Sequence, residues 1–190
     1  FLLTERSPTI WRGPIVSGAF TQMLRQTNWG NLDYLVIDLP PGTGDIQLTL
    51  SQQVPVNGAV VVTTPQDVAL VDARRGIEMF RRVDVPVLGV IENMSLHRCS
   101  QCGHTENIFG EGGGDKISAD YDTELLGALP LDLSIRQQID VGKPTVISDP
   151  DGIIAQSYRD IARRTGARLA LFAKRDGAGS LITKTQGIEE

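Results

Sequence analysis

The sequence contains no GxxxxGK(S/T) motif, the glycine-rich loop with which an α/β protein cradles phosphate between its first strand and helix. No apolar run reaches the length of a membrane span, and the opening FLLTERSPT lacks the basic, apolar and small-residue order of a signal peptide. Both absences point to a cytoplasmic protein without a membrane partner. Positive charge is in the minority: 18 Lys and Arg face 23 Asp and Glu, a net charge of -5, and no basic cluster is present. A nucleic-acid surface needs such a cluster to neutralise phosphates, so none is expected. No internal repeat is visible. Cysteine is nearly absent, with two residues in the whole chain, Cys99 and Cys102.

What is present reads as one α/β domain. At 190 residues and 41% hydrophobic content the chain is long enough for a sizeable core. Its organising stretch is DYLVIDLPPGTGD, Asp33 to Asp45. Tyr34 to Ile37 form the short apolar run of a strand covered on both faces, and Asp38 closes it. At the carboxyl end of a parallel strand an acid points into the ligand crevice. Pro40 and Pro41 end the strand, Gly42 and Gly44 shape the loop, and Asp45 is placed to cap a helix from Ile46 to about Gln53. An incidental acid in a strand-turn-helix connection is the plain alternative for Asp38.

The rest of the chain alternates in the same way. An amphipathic helix is predicted from Gly13 to about Asn28. Strands follow at Gly58 to Thr64, Pro86 to Asn93 and Glu124 to Pro130. A helix capped by Thr64, with Pro65 first and Asp67 third, runs to about Val83. Further helices are predicted near Lys116 to Tyr121, Leu133 to Val141 and Pro150 to Lys174. This alternation implies a parallel sheet with helices on both faces, joined by right-handed crossovers. The single domain spans 1–175, and 176–190, rich in Gly and polar residues, reads as a disordered tail.

The chemistry concentrates at Cys99-Ser-Gln-Cys102-Gly103, whose spacing lets a tight turn bring both sulfurs to one metal. Structural zinc or an iron-sulfur cluster wants four protein ligands, so two thiolates make half a site. A two-fold dimer supplies the other half by symmetry. His97 and His104 are the alternative, completing a zinc site within one chain. A thioredoxin-like redox pair is disfavoured, because such cysteines open a helix after a strand. GEGGGDKIS, Gly110 to Ser118, looks like a phosphate loop, but Asp115 opposes an anion there, and the stretch reads as a flexible turn.

DLPPGTGDIQLTL, TTPQDVALVDARRG, GVIENMSLHRCSQCG and LGALPLDLSIRQ together resemble the Mrp/ApbC family of iron-sulfur cluster carrier ATPases, from about Trp11 to Arg164. The resemblance implies a deviant P-loop NTPase fold of the MinD and nitrogenase iron-protein group. It implies ATP and magnesium near a homodimer interface and a 4Fe-4S cluster bridged by the CxxC pairs of two subunits. By position, Asp38 resembles the acid that holds magnesium through water and senses the γ-phosphate, and Gly42 falls in the adjoining switch loop. Asn93 resembles the adenine-contacting amide, with a polar strand cap as its plain reading. Pro130 and Leu131 begin the loop bordering the base, and Cys99 and Cys102 resemble the cluster ligands. The family's first strand and phosphate loop do not appear in these residues, which start at Phe1 and resemble the C-terminal part of a longer protein. ATP hydrolysis is therefore expected of the intact protein and not of this segment alone.

The leading expectation is a cytoplasmic carrier that assembles a 4Fe-4S cluster between subunits, delivers it to apoproteins and couples this to ATP. The alternatives are a non-catalytic dimeric scaffold with structural zinc at the CxxC, and a MinD/ParA-type partitioning ATPase. The last lacks the terminal basic amphipathic helix or basic patch that would anchor it to membrane or DNA.

Overall fold

A computed structural model describes residues 13–39, 54 and 56–175. Three strands, β1 (Ala59–Thr63), β2 (Val87–Glu92) and β5 (Leu125–Ala128), form a parallel sheet in the order β1-β2-β5. Thr63 pairs with Glu92 and Glu92 with Ala128, so all three strands end at one level. Each is the nearly continuous apolar run that a sheet covered on both faces demands.

Alternation along the strands sorts their side chains between two cores. Ala59, Val61 and Val90 pack with Leu70, Ala73, Ile77 and Phe80 of α2 (Asp67–Arg82) and with Ile117 of α3 (Gly113–Asp120). On the other face Val60, Ile91 and Leu126 meet Tyr158 and Ile161 of α6 (Ile153–Arg175). Helices thus pack on both faces, as the pattern predicts, although Val62 of β1 remains exposed. At β5 the approach is close: a Cβ built on Gly127 would lie 2.6 Å from Ile161 Cγ1. The remaining described helices are α1 (Gly13–Gln26), α4 (Leu133–Asp140) and the single turn α5 (Thr145–Ser148). No described helix is long and apolar enough to cross a membrane.

The organising stretch departs from expectation. Tyr34 to Leu39 form no strand, and Tyr34 and Val36 are 65% and 90% exposed. A strand exists only with a hydrogen-bonded neighbour, and none of the described strands pairs with this segment. β1 is an edge, pairing with β2 alone among the described strands. Leu39 nonetheless packs against the larger core, so the segment lies beside the sheet. Pro40, Pro41, Gly42, Gly44, Asp45, the predicted helix 46–53 and the tail 176–190 lie outside the described residues.

Two local expectations need correction. α2 starts at Asp67 behind Gln66, two residues later than a Thr64 cap would place it. The Thr64 hydroxyl instead donates to Gln66 Oε1 at 3.3 Å. GEGGGDKIS is not a loose turn, since Gly113 and Gly114 are buried and open α3.

Candidate functional site

The cysteines sit on a small hairpin at the carboxyl edge of the sheet. Beyond β2, the Asn93 N–H donates to Thr63 O at 2.7 Å and the Ser95 N–H to Leu129 O at 3.0 Å. The Leu131 N–H returns a bond to Leu96 O at 2.9 Å, and His97 bridges to Leu131 in parallel. This extension of the β2-β5 pairing delivers the chain into β3 (His97–Arg98), antiparallel to β4 (Thr105–Glu106). Between them the Cys99 N–H donates to His104 O at 2.8 Å and the Gly103 N–H to Cys99 O at 2.9 Å. Gly103 closes the turn at φ 72°, a left-handed conformation that favours glycine after CxxC.

The turn biases Cys99 toward its thiolate. The N–H groups of Cys102 and then Gln101, followed by the Cys102 side chain, hold its thiol below the usual cysteine value; slight burial opposes this and His97 adds a smaller pull down. Donors aimed at sulfur favour the thiolate, the form that binds metal. The two thiols are not joined to each other, and Cys102 is exposed. Among the described residues, no three His, Cys, Asp or Glu side chains converge where they could hold a metal ion. The single-chain zinc site with His97 and His104 is therefore not assembled. His97 Nδ1 lies 3.1 Å from Leu131 O.

Of the expected nucleotide residues, Asn93, Pro130 and Leu131 are brought together with this hairpin. Asn93 Oδ1 accepts the Met94 N–H at 3.0 Å, so its carbonyl does what a polar strand cap does and its NH2 group remains for other partners. Leu131 is bonded both to Leu96 and, through its carbonyl, to His97. Asp132 then caps α4, accepting the Ser134 N–H at 2.8 Å. Asp38 is exposed and lies in the unpaired segment; nothing described joins it to the hairpin. Gly42 is outside the described residues.

Residues 1–165 match the protein family described as "ParA: NUBPL iron-transfer P-loop NTPase". The chain belongs to this family. It is 60% identical over 169 residues to the iron-sulfur cluster carrier protein of Pseudomonas fragi, covering 89% of this chain and 59% of that protein. It is 57% identical to the iron-sulfur cluster carrier protein of Escherichia coli K12, covering 89% of this chain and 46% of the other. The iron-sulfur cluster transfer protein NUBPL of Mus musculus is 51% identical, with 89% and 53% covered. This member of the NUBPL-type NTPases thus spans about half the length of the curated relatives it matches.

Solved structures agree on the fold of the family. A nucleotide-binding protein of Archaeoglobus fulgidus in complex with ADP superposes with a TM-score of 0.63 at 35% identity, covering 73% of this chain and 56% of that one. MinD of Pyrococcus horikoshii, complexed with Mg-ADP, gives 0.60 at 21% identity over 86% and 60% of the two chains, a likeness of fold alone.

Around this hairpin, sequence reasoning overlooks Glu92 and Ser95 and misjudges the buried glycines. Glu92 reads only as the polar end of a strand, yet it is 6% exposed and accepts the Gly114 N–H at 2.6 Å. The signal for it is an acid among apolar neighbours at a strand end, followed by a glycine-rich helix start.

Proposed function

We propose that this chain is the cluster-binding part of an iron-sulfur cluster carrier: Cys99 and Cys102 of two copies hold one 4Fe-4S cluster and pass it to apoproteins. The observation that carries the reading is the unpaired CxxC turn, thiolate-biased at Cys99, with no third ligand gathered beside it among the described residues. Two sulfurs leave half of a four-ligand shell open, and a second copy meeting the same patch closes it. Exposure suits a carrier, because each carrier thiolate must be reachable when a client thiolate replaces it on iron. The names of relatives sharing 51% to 60% of its residues support the same reading.

In the intact protein ATP and magnesium bind near the dimer interface. On this reading Asp38 holds the magnesium through water and senses the γ-phosphate, Gly42 belongs to the adjoining switch loop, Asn93 contacts the adenine, and Pro130 and Leu131 begin the loop that borders the base. The bonds joining Leu131 to Leu96 and His97 give a nucleotide at that loop a direct route to the cysteine hairpin. The chain itself contains no GxxxxGK(S/T) loop, so hydrolysis belongs to the longer protein. The cytoplasm, where thiols stay reduced, is the fitting compartment.

Anaerobic reconstitution with iron and sulfide tests the reading. The wild-type chain should take up four iron atoms per two copies, with a charge-transfer absorption that Cys102→Ser abolishes. A Cys102→Ser protein with wild-type iron content and spectrum refutes it. The same thiolates also suit structural zinc across a dimer, and metal analysis of protein purified without oxygen separates that scaffold from a carrier.

A further inference from the structure

Glu92 ends β2, the middle strand, and a carboxylate buried there requires a partner. Its partner is the Gly114 N–H, 2.6 Å away in the first turn of α3. That turn holds amides with no carbonyl of their own helix to meet, and its dipole favours negative charge. The contact is also shaped by what position 114 lacks. A Cβ there would lie 2.8 Å from Leu125 Cδ1 and 3.0 Å from Glu92 Cβ, so only glycine lets the helix start come so close. One residue earlier, a Cβ on Gly113 would lie 2.8 Å from Pro65 Cα.

Glu92 and Gly114 stand 22 positions apart, and the chain between them is the excursion that carries the cysteine turn. Its outgoing limb is fixed to Leu129 and Leu131 through Ser95, Leu96 and His97. Its returning limb, after Glu106, has no such ladder among the described residues, and the Gly110 N–H turns back onto Asn107 O at 3.1 Å. The bond from Gly114 to Glu92 ties this limb to the middle strand and closes the excursion into a loop with both feet on the sheet.

We propose that Glu92 is a positioning residue: by holding Gly114 it fixes the returning limb, and so sets the geometry in which Cys99 and Cys102 meet metal. The inference rests on the reading of those cysteines as metal ligands. It does not involve nucleotide.

The experiment titrates the full 190-residue chain with Co(II) alone, without oxygen, following thiolate-to-cobalt absorption for wild type, Glu92→Gln and Glu92→Leu. The Gln amide oxygen still accepts the Gly114 N–H, so Glu92→Gln should bind within about twofold of wild type. Glu92→Leu fills the space without an acceptor and should bind about tenfold more weakly, the loss typical when a ligand's support is removed. A purely structural role would lower the melting temperature of Glu92→Leu without changing the cobalt affinity of its folded fraction, and that result overturns the inference.

Should Glu92→Leu not fold, amide hydrogen exchange on wild type and Glu92→Gln decides. Joint protection of the Gly114, Cys99 and Gly103 amides in both proteins upholds the clamp; a Gly114 amide exchanging as fast as that of exposed Glu111 overturns it. Iron and sulfide separate this inference from the carrier reading. Glu92-dependent cobalt binding by a chain that builds no cluster sinks the carrier reading alone. Equal cluster assembly and equal cobalt affinity in wild type and Glu92→Leu sink the role of Glu92 alone.

Discussion

Replacing Gly127 by alanine isolates the contact that seats α6 on the sheet. The added methyl would lie 2.6 Å from Ile161 Cγ1 and 3.1 Å from its Cδ1, and Ile161 is 8% exposed, packed within the core on that face. Overpacking of this kind costs about 1 to 3 kcal/mol. Against it stands the loss of unfolded-state freedom on going from glycine to alanine, which stabilises by about 0.4 to 1 kcal/mol. The net effect should be destabilisation of about 1 to 2 kcal/mol, lowering Tm by about 3 to 6 °C for a chain of this size. Thermal unfolding by circular dichroism measures it. A double-mutant cycle supplies the mechanism: Ile161→Ala alone should cost about 2 to 5 kcal/mol, and less by about 1 kcal/mol when the methyl added by Gly127→Ala occupies the vacated space. A Gly127→Ala protein as stable as wild type, or two effects that simply add, would refute the close approach of β5 and α6.

Other expectations concern the cysteine turn and its surroundings. Because backbone N–H groups stabilise the Cys99 thiolate, Cys99 should be alkylated by iodoacetamide at lower pH in the folded chain than in the urea-unfolded chain, as read by peptide mass spectrometry across a pH series. The lowered value belongs to the folded state, so this group adds stability above the ordinary thiol pKa and loses it as pH falls through the lowered one. Gly103→Val, which places a β-branched residue at φ 72°, should cost about 1 to 2 kcal/mol and weaken Co(II) binding, whereas Gly103→Asn should retain most of both. Asp132→Ala removes the cap of α4 and should cost about 1 kcal/mol by chemical denaturation without altering metal uptake.

Much of this fold was legible because the chain states it twice, in apolar runs for strands and in helical periods between them. AVVVT and VLGVIE could hardly be anything but strands, although Val62 of the first is exposed, and CxxCG predicted a two-sulfur turn. YLVI looked equally convincing and is not a strand, because an apolar run says nothing about whether a neighbour is there to pair with it. GEGGG was misjudged for a different reason. Glycine richness suggests slack, but Gly113 and Gly114 serve close contact with Pro65, Leu125 and Glu92, a tertiary cause that no local pattern displays. The strands of the hairpin are two residues each, below what any periodicity reveals. The Glu92 bond joins residues 22 positions apart and depends on that same arrangement.

The side of β1 that pairs with no other described strand has a practical bearing on how this chain behaves in solution. Wherever the outward N–H and C=O groups of such a strand meet no partner, they form a template to which another extended segment adds, and such borders drive indiscriminate self-association. Two kinds of multimer are therefore to be told apart in a preparation: one held through sulfur and metal, dispersed by a chelator, and one held through backbone, indifferent to chelation and dissolved by urea. Only the first speaks to the cysteines, so particle mass has to be recorded before and after metal is stripped.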